Sequence, residues 1–369
     1  MRTLIRTVMR LIASVLVIII AMGVWVKISL STPATLPAPT GPYAIGRMEF
    51  DWVDESRSDP FVSAQKRELD TFLWYPAEQS GTKPAVYLRE NWERNLQSPI
   101  LWSTYSGVHT NSWEGVPIAR TTQKPWPVVV LSTGFGHVPA DYTSLAEELA
   151  SQGYIVASPA NTHTGPTVIF PDGRIAKNKD DILDLKRTLR VWADDIGTVL
   201  KKLESLDADS GSPLFHKLDF SRVGIIGHSF GGAASAEFCS NQGPCNAGVD
   251  MDGSLFGGAA HNGIRKPFLF LLNEGIPPWW ACLRIWRKHT WEELHREDMM
   301  RFRAACDPWR NCRIECLPGL RHQNFSDLAV MFRPPLYWAH PKLGRLSGKQ
   351  GLEMTRQKVT EFLNQWVRG

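Results

Sequence analysis

The stretch Arg222-Val223-Gly224-Ile225-Ile226-Gly227-His228-Ser229-Phe230-Gly231-Gly232 decides how the rest of the chain is read. It opens as a short apolar, β-branched run, the pattern of a fully buried strand, and then turns small and glycine-rich. With Gly and Ser each near 7% of residues, a match to Gly-x-Ser-x-Gly arises by chance in roughly one in eight chains of this length. The bare match therefore weighs little, and its setting weighs more. The turn lies between a predicted buried strand, Val223 to Ile226, and a predicted helix from Phe230. A sharp reversal there would expose the Ser229 hydroxyl at the carboxyl end of a sheet, near a helix N-terminus that favours developing negative charge.

Outward from that turn, strand and helix signals alternate. Upstream, Thr71 to Tyr75, Val128 to Ser132 and Tyr154 to Ser158 read as strands and Tyr142 to Ser151 as a helix. Asp180 to Leu206 carries helical spacing through Ile182, Leu185, Leu189, Trp192, Ile196, Leu200 and Leu203. Downstream, Ala247 to Met251, Pro267 to Leu272 and Cys312 to Leu317 read as strands, and Gln350 to Val367 as an amphipathic helix. Continuous apolar strands alternating with helices predict an α/β fold, a mostly parallel central sheet with helices on both faces. Residues 46–369 read as one domain.

A serine hydroxyl needs a base to take its proton, and in this fold the order along the chain is serine, acid, histidine. Of the downstream histidines, His322 alone follows directly on the last predicted strand, where a loop can return its ring to the edge that carries Ser229. Asp250, Asp252 and Glu274 all lie near ends of predicted strands, and periodicity does not choose among them. A tetrahedral oxyanion needs two backbone N–H donors. Phe230, directly after the serine, supplies one. Phe135 in Ser132-Thr133-Gly134-Phe135-Gly136 is the candidate for the other, its flanking glycines permitting close approach.

Composition bounds the alternatives. Hydrophobic content is 43% and charged content 21%, as in a globular domain, and 41 basic against 37 acidic residues leave a net charge of +4. The absence of a Lys/Arg run argues against a nucleic-acid partner. Arg2, Arg6 and Arg10 precede a charge-free run, Leu11 to Val26, of about 24 Å as a helix. Residues 11–30 approach the roughly 30 Å of a bilayer core if Lys27 snorkels. Residues 1–10 then read as a cytoplasmic basic segment, 11–30 as a signal-anchor and 31–45, with Pro33, Pro37, Pro39 and Pro42, as an extended linker. A cleaved signal peptide is the other reading, and both place the domain outside the cytoplasm.

Six cysteines agree with that compartment. Cys239 and Cys245 can close a short loop. Cys312 and Cys316, some 13 Å apart on one strand, cannot bridge each other and need partners elsewhere. No CxxC pair suggests a zinc site, and no cofactor is implied. The sequon Asn324-Phe325-Ser326 adjoins His322 and is expected to be unglycosylated.

Taken together, Leu73-Trp74-Tyr75-Pro76, Ser132-Thr133-Gly134-Phe135-Gly136, Gly153-Tyr154-Ile155-Val156-Ala157, Gly227-His228-Ser229-Phe230-Gly231-Gly232, Gly248-Val249-Asp250-Met251-Asp252-Gly253-Ser254-Leu255-Phe256 and His322-Gln323-Asn324-Phe325-Ser326-Asp327 are similar to the motifs of the plasma-type (lipoprotein-associated) platelet-activating-factor acetylhydrolases and bacterial dienelactone-hydrolase-like relatives. The resemblance implies an α/β-hydrolase fold and a Ca²⁺-independent serine esterase acting on short or oxidised sn-2 acyl chains of phospholipids. It places the acid at Asp252 rather than Glu274 and supports Phe135 and Phe230 as oxyanion donors. This chain departs from the family at Thr133, where His is common, and at Asn161-Thr162-His163-Thr164-Gly165, where Glu-His-Arg is usual. A general carboxylesterase, lactonase or polyester hydrolase would use the same machinery, and a non-catalytic membrane-anchored binding protein is the alternative of a different class.

The segment Pro277-Pro278-Trp279-Trp280-Ala281-Cys282-Leu283-Arg284-Ile285-Trp286-Arg287-Lys288, followed by Trp291, mixes tryptophan with basic residues. It suits a lipid headgroup boundary or a cap over an acyl pocket, and equally a cap helix packed on the core.

Overall fold

The computed structural model describes residues 2–368 apart from 97–104, 106, 121–123, 180–183, 242, 275–290, 307–311, 333–336, 338–339 and 341. The tryptophan-rich segment 277–288 and Cys282 lie outside the described residues. The strands are β1 (Ala44–Ser58), β2 (Lys66–Ala77), β3 (Ser112–Glu114), β4 (Trp126–Ser132), β5 (Ile155–Pro159), β6 (Val168–Ile169), β7 (Ile175–Ala176), β8 (Leu218–His228), β9 (Ala247–Met251), β10 (Phe268–Asn273) and β11 (Cys312–Leu317). Nine of them form one sheet in the order β11-β10-β9-β8-β4-β5-β2-β1-β3, with β6 and β7 a separate hairpin.

From β11 to β5 every neighbouring pair is parallel, and β2 turns antiparallel to both β5 and β1. The apolar runs of β4, β5, β9 and β10 are thus buried on both faces, as central parallel strands are, whereas β11 at the sheet edge is only partly buried. In β4, Val129 and Leu131 pack on one side, with Leu145 and Leu149 of helix Thr143–Ser151 and Val359 and Phe362 of helix Gly348–Leu363. Val128 and Val130 point the other way, onto Leu189, Trp192 and Ile196 of helix Leu185–Ala208 and Ala233 of helix Phe230–Ser240. The α/β expectation holds on both faces.

Two features go beyond the sequence reading. β1 was not apparent in the sequence because Arg47, Glu49, Asp51, Asp54 and Glu55 crowd it, yet it pairs with β2 continuously from Ala44↔Ala77 to Asp54↔Arg67. Its charges are absorbed by tertiary contacts: the Arg47 guanidinium sits 4.1 Å from the Phe72 ring centroid. The proline-rich segment 31–45 is extended but is not a free spacer. Leu36 is buried, the Arg356 guanidinium donates to the Pro37 and Ala38 carbonyls at 2.8 and 2.9 Å, and His109 N–H donates to Ala34 O at 3.1 Å. Pro37 has no N–H to satisfy but keeps its carbonyl, and the domain uses it together with the carbonyls of Ala34 and Ala38.

Ahead of it runs the helix Arg2–Ser31, in which Arg6–Ile28 is long and apolar enough to cross a membrane and packs against no core. The cysteines sort as Cys239–Cys245 and Cys306–Cys312, so the partner of Cys312 lies beyond its own strand as expected.

Candidate active site

β8 ends at His228, and the chain reverses so sharply that Ser229 takes φ 55° and ψ −122°, a conformation costly for a residue with a Cβ. The turn closes because its glycines leave no room for side chains. A Cβ at Gly227 would lie 2.2 Å from Gly231 O, and one at Gly231 would lie 2.3 Å from the Ser132 and Thr133 carbonyls. Ser229 N–H is tied to Met251 O at 2.9 Å, which fixes the turn against the end of β9.

The next residue beyond β9, Asp252, also has positive φ (58°), and this bend aims its carboxylate across the sheet edge. Its Oδ2 lies 2.6 Å from His322 Nδ1. Asn273 donates to the same carboxylate from its backbone N–H (2.9 Å) and from Nδ2 to both oxygens (2.8 Å each). Burial alone would raise the pKa of this acid; the His322 and Asn273 donors override it and hold Asp252 below the ordinary carboxylate value. Asp252 is therefore an anion at neutral pH.

Of the other two carboxyls considered, neither reaches the imidazole. Glu274 accepts from Gly319 N–H and pairs with Arg345 at 3.2 Å, bracing the loop that leads to His322. Glu274 follows β10, one strand further from Ser229 than β9, and its carboxylate is engaged by the loop rather than by the imidazole. Asp250 is fully buried, accepts from Gly253 N–H at 2.7 Å and has its pKa pushed well up by burial, so it is a neutral structural group.

The imidazole of His322 is 28% exposed, open to a reactant, with its backbone carbonyl 2.9 Å from His228 Nε2. His228, the residue before Ser229, and Asp252, the first residue past the end of β9, thus both grip His322, which brings the ring to the Ser229 side of the sheet edge. As the first residue of its helix, Phe230 has an amide without an intrahelical acceptor. Phe135 occupies a tight turn closed by His137 N–H to Gly134 O at 3.1 Å, with Gly136 at φ 85°.

An aromatic wall stands over this edge. Phe135 stacks on Trp192 at 6.3 Å, Trp192 meets Phe230 edge-on at 4.7 Å, and Phe256 joins at 5.4 Å. A cavity of about 340 Å³ opens beside the Phe135 turn, lined by Leu96, Tyr105, Phe135, Val138, Pro166 and Asn178. Asn324, the sequon asparagine, is buried and hydrogen-bonded to Tyr337, Arg321 and Gly344, so it is closed to a glycan.

The family model of platelet-activating factor acetylhydrolase, isoform II, matches residues 28–169 and 184–367. The chain belongs to this family. It is 25% identical to the platelet-activating factor acetylhydrolase of Cavia porcellus, over 90% of this chain and 78% of that one. It is 25% identical to a probable 1-alkyl-2-acetylglycerophosphocholine esterase of Arthroderma benhamiae, over 82% and 79%. Among solved structures it is similar to a ferulic acid esterase from Streptomyces cinnamoneus, with a TM-score of 0.74, 29% identity and coverage of 91% and 94%. The protein is an α/β-hydrolase and a carboxylic ester hydrolase.

Two of this member's departures from the acetylhydrolase pattern touch each other: Asn161 Nδ2 donates to Thr133 Oγ1 at 2.8 Å, both residues buried. That contact ties the Phe135 turn to the end of β5. Sequence reading did not single out Asn273, Tyr142 or His228 as site residues. His228 was visible inside the serine motif, but nothing in the sequence marks Asn273 or Tyr142.

Proposed function

We propose that Ser229, His322 and Asp252 form a catalytic triad that cleaves short or oxidised sn-2 acyl esters of glycerophospholipids. His322 takes the Ser229 proton as Oγ adds to the ester carbonyl, and the Phe135 and Phe230 amides hold the oxyanion. The C–O bond to the alcohol then breaks, His322 delivering its proton to the leaving lysolipid. Water, deprotonated by His322, hydrolyses the acyl-serine and returns the free acid. Asp252 holds the imidazole in the tautomer whose Nε2 can accept.

The observation that carries this reading is the 2.6 Å Asp252–His322 pair beside a serine held at φ 55°. Labelling with a fluorophosphonate probe tests it. The native protein should label and Ser229→Ala should not, with a loss of 10³-fold or more in esterase turnover. Near-normal turnover in Ser229→Ala would refute the triad.

The substrate class is supported by the names of the relatives and by the aromatic wall at the site, which suits an acyl chain. The likeness to a ferulic acid esterase, together with the Asn161–Thr133 contact in place of the family's usual residues, favours a second reading as a general carboxylesterase. Rates on acetyl phospholipid against p-nitrophenyl acetate, a ferulate ester and a polyester film separate the two. The apolar N-terminal helix and two disulfides support a membrane-anchored domain outside the cytoplasm. Protease accessibility of intact cells, with and without permeabilisation, checks that placement.

A further inference from the structure

Directly beneath the triad lies a second polar chain that the mechanism does not use. Gly134 N–H donates to the Tyr142 hydroxyl at 2.9 Å, Tyr142 Oη is 2.8 Å from His228 Nδ1, and His228 Nε2 is 2.9 Å from the His322 carbonyl. Tyr142 and His228 are both buried, 1% and 0% exposed.

The direction of every bond follows from its chemistry. A carbonyl oxygen only accepts, so His228 Nε2 carries the hydrogen. Burial first, then the nearby His322 and His137, lowers the pKa of His228 well below the ordinary histidine value, so the ring is neutral and Nδ1 bare. Nδ1 must then accept from the Tyr142 O–H, whose oxygen takes the Gly134 N–H. The three bonds all run one way, from the loop after β4 to the loop after β11.

We infer that Tyr142 and His228 are positioning residues that set the distance between the oxyanion turn and the general base. Gly134 precedes Phe135, the proposed oxyanion donor, and the far end of the chain is the backbone of His322 itself. His228 is also covalently joined to Ser229, so one imidazole is fixed to all three working parts. A neutral link suits this place: an imidazolium at His228 would oppose the imidazolium that forms on His322, whose ring centroid is 4.7 Å away. Gly134 is shaped to the link, since a Cβ there would sit 3.0 Å from both His228 Nδ1 and Tyr142 Oη.

The inference rests on the Ser229–His322–Asp252 reading but fails separately from it: Ser229→Ala tests the triad and leaves the link intact. In the full chain in detergent, Tyr142→Phe and His228→Leu should each lower kcat per fluorophosphonate-titrated site on p-nitrophenyl acetate by about 10- to 100-fold, with KM changed less than threefold. Affinity for a trifluoromethyl ketone transition-state analogue should fall in parallel. His228→Gln, which keeps a donor toward His322 O, should recover most of the rate lost in His228→Leu. The double variant should cost little more than either single one, because both break the same chain.

A merely structural role would reduce the titratable fraction and leave kcat per site and analogue affinity unchanged, and that result overturns the inference. Should the variants fail to fold, ¹⁵N chemical shifts of the native histidines decide it. A neutral Nε2–H tautomer at His228 is required, and an Nδ1–H tautomer or an imidazolium at neutral pH refutes the link.

Discussion

One short segment, His322–Asp327, meets a buried carboxyl group at each end, and the two are held in opposite charge states. At its start His322 meets Asp252, an anion kept below the ordinary carboxylate value by His322 and the two donors of Asn273. At its end Asp327 receives Ser144 N–H at 3.1 Å, the Ser144 hydroxyl and the Tyr87 hydroxyl at 3.2 Å. Yet its pKa is pushed up to about 8, by burial first and by the neighbouring Asp141 and Glu147 against the pull of Ser144. Burial is not what distinguishes them. The neighbours are: an imidazole that can become a cation on one side, two further acids on the other. On the proposed mechanism the first end carries charge during the reaction, while the second clasps the loop to helix Thr143–Ser151 as a neutral acid.

That contrast can be broken at three points. Asp252→Asn removes the charge that holds the imidazole tautomer and should lower kcat by on the order of 10³-fold or more, with the fold retained. Circular dichroism and single-turnover kinetics check it, and a loss below tenfold would mean that His322 does not depend on this carboxylate.

Asn273→Ala leaves the anion but takes away the Nδ2 donor to both its oxygens. A lost hydrogen bond to a charged group should cost about tenfold in kcat. With less support for the anion, Asp252 protonates at higher pH, so the acid limb of the pH–rate profile should move upward; an unmoved limb would mean that the backbone N–H suffices.

Asp327→Asn should change kcat least, within about threefold, and alter stability instead. The folded protein keeps the Asp327 proton up to about pH 8, whereas the ordinary value is 3.8. Between these values only the unfolded state releases that proton, so this group's contribution is full at low pH and is lost as pH rises toward 8. An asparagine cannot ionise. Its stability relative to wild type should therefore improve from pH 5 to pH 8 by up to about 1.4 kcal/mol per pH unit. Urea unfolding at several pH values reads the slope, and a constant difference would show that Asp327 is ionised throughout.

Much of the frame was legible because local rules and tertiary demands coincide. Ala247–Met251 falls where its apolar run predicted, since a strand buried on both faces leaves little polar residue to blur it, and the edge strand Cys312–Leu317 also lies where it was expected. Helix Leu185–Ala208 starts later than Asp180, with Asp184 capping Arg187 N–H at 2.9 Å; residues 180–183 of the expected helix lie outside the described residues. β1 was hidden because a strand whose charges are met by distant partners has no local signature. Cys306–Cys312 was not assigned because spacing alone leaves Cys312 a choice of partners that only the fold resolves.

By itself the sequence determined the turn at Ser229, because Gly227, Gly231 and Gly232 have no side chain to collide there, and with it the place of the proposed nucleophile between strand and helix. It also determined which histidine follows the last strand. Only the tertiary structure brings Asp252, and not Glu274, to His322. Both stand just past strand ends, and the choice depends on β9 lying beside β8 with β10 one place further out, a matter of pairing between distant segments that no short window of residues contains. The same holds for Tyr142, which reaches His228 only because helix Thr143–Ser151 and β8 are brought to one edge of the sheet.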